Sequence, residues 1–529
     1  MTTSSALRAE EVVGRLATTL GVGAGDRRET HGSWVLLTAT RAYKVKKPVT
    51  MAFLDYGSLE RRREMCLEEV LVNRRAAPGL YLGVRAIVSH EDGVALAAED
   101  APDAIEYAVE MRRFDEAATL AAALDAGEAT PDLLTGVGRR IAAFHEACPA
   151  VPGSAGAEAV KRSVDDDFAT LSTLLRDDPA RTGDLVAAER FAAGFLGARW
   201  AELDARAQDG HVRDGHGDLR AEHVLLGSEP ALVDAIEFAP GLRRIDVGLD
   251  LAFLVMELHE AERPDLADAL VAGYRAAGGD PGDDRLLAFF AAYRARVRAK
   301  VALIRAAQLP AGATDATDAI DHAHRLLELS ARLLWAARDP VVIVLAGVTG
   351  SGKSTLARAL AARSHRPHLN SDVIRKRLAG IEPTARAPVS AYSAAMSEFT
   401  YRELGRLAGA TAGTVIVDAT LHRRRLRDVF REQLGDRADE AVFVECRAPA
   451  AVLERRVRAR ARRPDRTSDA TPEILRRQLA DLDPFDEVPP ERHVIIRADQ
   501  PVELLVAAIE DAIGCAPARR RPTRASGGR

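Results

Sequence analysis

Two short stretches of this chain carry residue types and spacings suited to phosphate chemistry. The first is AGVTGSGKSTL, in which Gly347, Gly352, Lys353 and Ser354 fit the pattern G-x-x-x-x-G-K-S. The glycines let the backbone bend so that successive N–H groups face a phosphate, while the lysine reaches the β- and γ-phosphates. An apolar run at 341–345 precedes the loop and a helical pattern follows it, as such a loop requires. We therefore predict a nucleotide-binding loop in which Ser354 holds Mg²⁺.

Two further features of the C-terminal part suit phosphoryl transfer. The apolar strand VIVDAT contains Asp418, an acid placed to orient Mg²⁺ through water. Between Arg455 and Arg466, seven of twelve residues are arginine. We expect this helix to close over the triphosphate, with Arg455 and Arg458 neutralising the transferring charge; the alternative is a solvated basic helix. The residues expected to contact the nucleotide in the loop are Gly347, Val348, Thr349, Gly350, Ser351, Gly352, Lys353, Ser354 and Thr355.

The run from about 340 to 510 resembles small-molecule P-loop kinases of the gluconate kinase, chloramphenicol phosphotransferase and zeta-toxin group. The resemblance rests on GVTGSGKS, on NSDVIRK, on VIVDAT and on the SDA that follows the arginine run. It implies that Asp372 is the general base beside the acceptor hydroxyl. It also implies that Arg375 and Lys376 hold an anionic substrate. The alternative for Asp372 and the serine before it is capping of the next helix.

The second stretch is GHGDLRAEHVLL, which contains Asp218, and Asp234 follows sixteen residues later in ALVDAIEF. With YKVKKP, CLEEVLVNRRAAPGLYLG and RRIDVGLDLAF, these segments make the first 335 residues resemble the aminoglycoside phosphotransferase family, which has the two-lobed protein-kinase fold. The resemblance implies that Asp218 orients or deprotonates the acceptor hydroxyl and that Asp234 binds the metal. It implies a strand lysine on the nucleotide phosphates, Lys44 with Lys46 as the close alternative, paired with Glu69. A plain surface glutamate is the alternative for Glu69.

One residue departs from the kinase pattern D-x-x-x-x-N, because His223 stands where an asparagine oxygen normally binds metal. Mg²⁺ prefers oxygen ligands, whereas imidazole suits softer divalent ions. Three alternatives follow. Asp234 holds the metal with help from Glu237; or the site prefers Mn²⁺ and uses His223; or it binds a ligand without transferring phosphate.

The elements that must position these residues divide into three parts and a tail. Residues 1–115 read as a β-rich lobe with a charged helix over 59–78, and residues 116–335 as a helical lobe. Residues 338–514 alternate strand and helix, which predicts a parallel sheet flanked by helices. The basic tail, 515–529, is expected to be disordered. The predicted fold class is α/β and α+β: a two-lobed protein-kinase-like domain followed by a P-loop NTPase domain.

The composition argues against several other classes of protein. The 529 residues carry a formal net charge of −5, too mild for a molecule coated to bind nucleic acid. No run of 18 apolar residues occurs, and the N-terminus lacks an apolar secretion core. The four cysteines have neither metal-binding nor disulfide spacing. We expect a cytoplasmic protein that binds neither membrane nor nucleic acid.

Together these features predict an ATP-dependent phosphotransferase, a bifunctional kinase that uses Mg²⁺ and acts on a hydroxyl of a small hydroxylated or anionic molecule. The P-loop domain is the expected catalyst, and the kinase-like domain is a second kinase or a substrate-binding regulator. Two alternatives stay open. The arginine run and basic tail suit a polynucleotide-end kinase. A non-catalytic, ATP-gated module that senses a ligand or stress would bind ATP without turning it over.

Overall fold

The chain forms two compact units in the computed structural model. One unit comprises Met1–Asp167 with Ala198–Ser330, and the other comprises Phe168–Gly197 with Ala331–Arg529. The described residues are 2–51, 54–90, 93–153, 156–310, 312–382, 385, 387–460 and 471–514. The predicted SDA motif at 468–470, the second half of the arginine run and the basic tail lie outside the described residues. The domain limits read from the sequence therefore stay predictions.

The elements alternate between a strand-rich first part, a helical middle and a mixed C-terminal part. The strands are β1 (Arg27–Glu29), β2 (Ser33–Leu37), β3 (Arg41–Lys46), β4 (Thr50–Met51), β5 (Leu54–Asp55), β6 (Tyr81–His90), β7 (Gly93–Ala97), β8 (Ala104–Arg112), β9 (Val212–Asp214), β10 (Val224–Leu225), β11 (Ala231–Leu232), β12 (Arg244–Asp246), β13 (Val342–Ala346), β14 (His368–Asn370), β15 (Val415–Ala419), β16 (Ala441–Arg447) and β17 (His493–Arg497). The α-helices are α1 (Thr2–Thr19), α2 (Leu59–Asn73), α3 (Leu120–Asp125), α4 (Pro131–Ala147), α5 (Ala157–Leu174), α6 (Pro179–Ala198), α7 (Trp200–Gln208), α8 (Pro240–Arg243), α9 (Val247–Glu260), α10 (Pro264–Ala276), α11 (Asp284–Gln308), α12 (Thr314–Ala337), α13 (Lys353–Ser364), α14 (Ser371–Leu378), α15 (Ala394–Ala410), α16 (Arg424–Gln433), α17 (Ala450–Arg460), α18 (Pro472–Ala480) and α19 (Val502–Gly514).

The first unit begins with an antiparallel sheet in the strand order β1-β2-β3-β8-β6-β7. Along β3, Tyr43 and Val45 pack in the same core as α1, whereas Ala42 packs in the core that contains α2. Because side chains alternate between the faces of a strand, Lys44 and Lys46 lie on the α2 face. This arrangement brings both lysines to Glu69, which α2 carries.

Helix α2 is shorter than the sequence suggested. It ends at Asn73 rather than just before Pro78. A proline disfavours helical geometry in the residue before it, and here the N–H groups of Ala76 and Ala77 fold back to the Asn73 carbonyl. The side chain of Asn73, the last residue of α2, contacts the functional site described below.

The rest of the first unit is helical, with two short pairs of antiparallel strands inserted. Strand β9 pairs with β12, and β10 pairs with β11. The loop from β9 to β10 carries Asp218 and His223, and the segment after β11 carries Asp234. Apolar residues cover nearly every side of α9, which is why this helix is buried and the DLAF motif lies inside it. These short strand pairs and the buried helix α9 therefore hold the segments that carry Asp218 and Asp234.

The second unit is a parallel sheet in the strand order β14-β15-β13-β16-β17. One face packs on α13 and α19 and the other on α15 and α16. All five residues of β13 and of β15 are buried, as expected for strands covered on both faces. The register aligns Asn370 with Asp418 and Ala346 with Ala419. The predicted fold class is confirmed.

The cysteines among the described residues form no disulfide bonds. Cys66, Cys148 and Cys446 are buried and unpaired. Burial raises the pKa of each of these thiols to about 12, so they stay protonated near neutral pH.

None of the described helices is both long and apolar enough to span a membrane.

Candidate functional site

The loop between β13 and α13 has the backbone geometry of a phosphate cradle. Gly350 and Gly352 have φ angles of 81° and 92°, in the left-handed region that favours glycine. A Cβ on Gly350 would lie 2.9 Å from the Leu453 carbonyl oxygen, which leaves no room for a side chain. Helix α13 starts directly afterwards at Lys353, so its unsatisfied N–H groups and partial positive charge face the loop.

The charged residues of this loop converge on one carboxylate. Asp418 is buried at the end of β15, and Asn370 donates a hydrogen bond to it at 2.6 Å. Burial would raise the pKa of Asp418, but His368, the charge of Lys353 and a hydrogen bond from Ser354 together lower it. The lysine, hydroxyl and acid predicted to act together are thus neighbours, with the acid ionised near neutral pH.

Two buried polar atoms at this site, one on the loop and one on α17, lack a hydrogen-bond partner among the described residues. They are the Ser351 Oγ and the Arg456 Nη1. Arg456 donates through Nη2 to the Ala498 carbonyl at 2.8 Å, and its Nη1 would lie 3.4 Å from a Cβ on Gly352. A buried donor without a partner is costly, and a phosphate oxygen would satisfy it. The residues present therefore fit a bound nucleoside triphosphate.

The structure places the arginines of α17 differently from the sequence expectation. Arg455 and Arg458 are exposed, and Arg458 pairs with Glu454 on its own helix at 3.4 Å. Arg456 instead borders the apolar stripe of Leu453 and Val457 that packs against the loop. The lid role of Arg455 and Arg458 stays a prediction, while Arg456 is the arginine found beside the P-loop. Helical spacing from the apolar stripe is the signal that could have found it.

The acceptor side of this unit lies on α14. Asn370, not Ser371 or Asp372, caps this helix, since its Oδ1 accepts the Asp372 N–H at 2.9 Å. The capping alternative therefore does not account for the half-buried Asp372 side chain. Arg375 and Lys376 are buried, and Arg375 donates to the Ala391 carbonyl at 3.1 Å. The predicted roles of these residues toward an acceptor stay predictions.

In the first unit, two lysines of β3 share one glutamate. Lys44 Nζ lies 2.9 Å from Glu69 and 2.6 Å from Asp234, whereas Lys46 Nζ lies 2.7 Å from Glu69 and also contacts Glu237. Burial alone would lower the pKa of each lysine, but these carboxylates outweigh it and raise the pKa. Glu69 is fully buried, so the surface-glutamate alternative is wrong.

Asp234 has a strained backbone that its neighbours hold in place. Its φ of 62° is unusual for a residue with a side chain. The Asp234 N–H donates to the Tyr81 hydroxyl at 3.0 Å, and the Asn73 Oδ1 accepts the next N–H, of Ala235, at 2.8 Å. The side chain of Asp234 is about half exposed, toward the cavity described below. Partial loss of hydration there would raise the pKa of Asp234, but Lys44 and His223 lower it strongly. The carboxylate of Asp234, ionised near neutral pH, thus lies against Lys44.

The loop that carries Asp218 is anchored from below by Asp250. The carboxylate of Asp250 accepts the N–H groups of His216 at 2.7 Å and Gly217 at 2.9 Å, and it contacts His145 at 3.2 Å. These contacts explain why an acid is buried at this point of α9. Asp250 therefore positions the two residues that precede Asp218.

His223 lies between the two acids of the kinase-like site. Its Nδ1 lies 2.8 Å from the Asp218 carbonyl oxygen, so Nδ1 must carry the proton and donate. In the neutral ring Nε2 is then an acceptor, and it lies 3.8 Å from Asp234 Oδ2. Nε2 therefore has the lone pair that a metal ligand needs, which keeps all three alternatives for this residue open.

We predict that His223→Asn strengthens Mg²⁺-nucleotide binding at this site by about tenfold, because an amide oxygen suits Mg²⁺ better than imidazole. Calorimetric titration of Mg²⁺-ATP into a Lys353→Ala background measures this site alone. His322→Asn, which alters another cavity histidine that contacts Glu260 at 2.7 Å, serves as control. Unchanged or weaker affinity in His223→Asn would speak against a metal role for position 223.

A large cavity joins these residues. It has a volume of about 1730 Å³ and is lined by Lys44, Tyr81, Asp218, His223 and Asp234, among others. Lys46 is not part of its lining and is fully buried. The cavity exceeds the ~300–1,000 Å³ of usual small-molecule sites, so it has room for a nucleotide and a second molecule.

Neither site holds a metal by protein side chains alone. Within the part of the chain that the structure describes, no three His, Cys, Asp or Glu side chains are grouped closely enough to do so. In phosphoryl transfer the triphosphate supplies further oxygen ligands to Mg²⁺. The predicted metal ligands Ser354, Asp418, Asp234 and His223 thus fit a metal that arrives with a nucleotide.

Fold and site define a protein that joins a protein-kinase-like unit to a P-loop kinase-type unit. A family model described as an AAA domain matches residues 342–485. The chain belongs to the family of Rv2004c from Mycobacterium tuberculosis, with which it is 34% identical over 463 residues, 85% of this chain and 88% of that relative.

Two further comparisons each cover one part of the chain. A shikimate kinase from Nitrobacter winogradskyi is 33% identical over 145 residues, 27% of this chain and 64% of that relative. A solved structure from Ralstonia eutropha, described as a candidate aminoglycoside phosphotransferase, covers 61% of this chain and 96% of its own, with 14% identity and a TM-score of 0.36. The family model and the shikimate kinase confirm the resemblance of the C-terminal part to P-loop small-molecule kinases.

Proposed function

We propose that this protein is an ATP-dependent phosphotransferase that acts on a hydroxyl of a small molecule, with the P-loop unit as its catalyst. The observation that carries the proposal is the convergence of Lys353, Ser354 and Asp418 at the carboxyl ends of β13 and β15. Ligands of parallel α/β sheets bind outside the carboxyl ends of the strands. A kinase class is supported by the matched P-loop family model and the similarity to a shikimate kinase.

The site residues of the P-loop unit each have a role in the proposed reaction. The loop N–H groups and Lys353 bind the β- and γ-phosphates, and Ser354 and Asp418 hold Mg²⁺ directly or through water. When bound, Mg²⁺ neutralises charge on the phosphate oxygens. Arg456 donates to the triphosphate from the loop side, and Asp372 takes the proton of the acceptor hydroxyl. Catalysis here is mainly positioning and charge neutralisation, as expected for phosphoryl transfer.

The kinase-like unit supplies a second nucleotide site in this proposal. We assign the phosphate contact to Lys44, because it lines the cavity with Asp218 and Asp234. Lys46 is fully buried between Glu69 and Glu237, with the Tyr56 hydroxyl 3.3 Å from its Nζ. A cation so enclosed cannot reach a ligand without breaking its pairs, which favours a structural role. Lys46 therefore fixes Glu69, and Glu69 in turn orients Lys44.

The test is acceptor-dependent ADP formation across sugars, sugar acids, shikimate and aminoglycosides, with each product checked by mass. We expect Asp418→Asn to lower the rate by about 10²- to 10³-fold with the active acceptor, because the amide cannot balance the Mg²⁺ charge. Asp428→Asn, which alters a half-exposed acid of α16, is the matched control and should retain the rate.

The outcomes separate the proposal from its alternatives. Equal rates in wild type and Asp418→Asn would contradict the P-loop as catalyst. ATP binding without turnover on any acceptor would instead support the non-catalytic module. Binding of short RNA that weakens steeply with salt, with phosphorylation of its end, would support the polynucleotide-end kinase.

A further inference from the structure

The wall of the cavity next to Asp218 carries an arginine whose charge is not balanced by a partner. Arg298 on α11 lines the cavity together with Asp218 and Arg220. Among the described residues, Arg298 makes no hydrogen bond and no ion pair within 4 Å. Its environment is only partly open to water. A guanidinium that has lost hydration without gaining a carboxylate favours the approach of an anion.

Two neighbouring cations, Arg220 and Lys300, are paired with acids, unlike Arg298. Arg220 contacts Glu257 at 2.9 Å and also Glu222, and Lys300 lies 2.9 Å from Asp167. Two of the three acids that act on Arg298, Glu257 and Glu222, are thus engaged by Arg220, and the third is Asp218. Burial lowers the pKa of the Arg298 guanidinium and the charge of Arg220 lowers it further, although Glu257, Asp218 and Glu222 act in the opposite direction.

A second arginine on the same helix reinforces the positive charge. Arg294 lies one turn before Arg298, is 7% exposed and donates through Nε to the Leu249 carbonyl at 3.1 Å. Its buried Nη2 has no partner among the described residues. Its guanidinium lies 4.6 Å from the centre of the Phe253 ring. Arg294 therefore adds charge behind the cavity wall.

Asp218 and Glu222 offset this charge only in part, and the remaining acids of the cavity add little. Asp315 and Asp318 on α12 also line the cavity, but both are exposed and keep their hydration. Exposed charges interact weakly through water, whereas partly buried ones interact strongly. Asp234 is already paired with Lys44 at 2.6 Å. The side of the cavity next to Asp218 is thus selective for negative rather than positive molecules.

We propose that the kinase-like unit takes an anionic hydroxyl compound as its second ligand, a molecule whose carboxylate or phosphate group binds Arg298 while a hydroxyl faces Asp218. As a transfer reaction this rests on the second nucleotide site that the proposed function gives to the kinase-like unit. The hydroxyl oxygen bonds to the γ-phosphorus of ATP, the bond from that phosphorus to the β–γ bridging oxygen breaks, and ADP leaves. The hydroxyl proton passes to Asp218. Aminoglycosides are polycations, so Arg298 would repel the substrates after which the resembling family is named.

Equilibrium binding tests the charge preference on matched hexose scaffolds. Glucuronate, glucose 6-phosphate, glucose and glucosamine share a pyranose ring and differ mainly in charge, and glucuronate and glucose 6-phosphate distinguish carboxylate from phosphate. We measure their binding by calorimetry in the full-length Lys353→Ala protein with Mg²⁺-ATP present. At least one of the two anions should bind at least tenfold more tightly than glucose, and glucosamine should bind most weakly.

Variants assign the preference to one side chain. Arg298→Gln should weaken anion binding by about 10- to 100-fold, the worth of a charge-assisted hydrogen bond, and leave glucose binding unchanged. Arg298→Lys should keep part of the affinity, which guards against a fold defect. Arg325→Gln removes an exposed arginine of α12 outside the cavity lining and should change nothing.

Two results would overturn the proposal: glucose or glucosamine binding as tightly as both anions, or no anion binding up to the millimolar range. Because Lys353→Ala disables the P-loop, phosphoryl transfer measured in the same samples tests a kinase role of the kinase-like unit alone, separately from this inference. Anion binding that depends on Arg298 without transfer would retain the anion site and reject the kinase role of this unit. Transfer to glucose or glucosamine that does not depend on Arg298 would reject the anion site and retain the kinase role.

Discussion

Replacing Lys353 by alanine is expected to lower ADP formation by about 10²- to 10³-fold with the acceptor that gives the highest rate. Lys353 opens α13 directly after Gly352, next to Asp418, and it is buried. Its positive charge is therefore available to a phosphate bound in the loop, and we expect no other cation of α13 to replace it. Initial rates measured in a coupled assay at saturating Mg²⁺-ATP give this value.

The matched control for this variant is Arg358→Ala. Arg358 lies on the same helix but is exposed, and its Nε donates to the Ser354 carbonyl at 3.1 Å. It should retain the wild-type rate, because the Arg358 side chain bonds to a helix carbonyl and not to a group expected to bind phosphate or Mg²⁺. Equal losses in both variants would indicate damage to the helix rather than loss of a phosphate contact.

Asp250→Asn is expected to destabilise the first unit by about 3 kcal/mol, the largest stability effect anticipated for a single side chain of this unit. The buried carboxylate accepts two backbone N–H groups and contacts His145, and an amide cannot accept with both of its terminal atoms. Chemical denaturation followed by circular dichroism measures the loss. Asp265→Asn removes an exposed acid paired with Arg263 and should not lower the stability measurably.

The loss in Asp250→Asn should depend on pH in a defined direction. Burial would raise the pKa of Asp250, but its contacts with His145 and His216 lower it from 3.8 to about 2. A depressed pKa in the folded state stabilises the fold above the unfolded pKa, and this contribution disappears as pH falls toward 2. The shift corresponds to about 2 kcal/mol, so the gap between wild type and Asp250→Asn should narrow by that amount between pH 5 and 2. A gap that does not change over this range would contradict the ionised state of Asp250.

Local patterns predicted those parts of the molecule that depend on neighbouring residues in the sequence. The alternation of β3 put Lys44 and Lys46 on one face, and both do reach Glu69. The strand, glycine loop and helix around Lys353 also formed as their order indicated. Such features follow from periods of two and 3.6 residues and from glycine geometry, all of which the sequence displays directly.

Local sequence patterns could not predict the contacts between segments that are distant along the chain. Lys46 is separated from Glu237 by 191 positions, and the Thr349 N–H donates to Gln478 at 2.8 Å across 129 positions. No local period predicts which side chains meet across such distances. The sequence therefore left Lys44 and Lys46 equivalent, and the cavity distinguishes them, because only Lys44 belongs to its lining. The sequence did not single out Arg456 for a related reason, because its position beside the P-loop depends on where α17 packs.

The most direct test of the P-loop as catalyst compares ADP formation in Lys353→Ala and Asp218→Asn with one acceptor and one ATP concentration. Each variant removes the central polar group of one unit and leaves the other unit unchanged. We predict that Lys353→Ala loses nearly all of the rate while Asp218→Asn keeps most of it. Loss of the rate in Asp218→Asn with retention in Lys353→Ala would contradict this assignment and place the chemistry in the kinase-like unit.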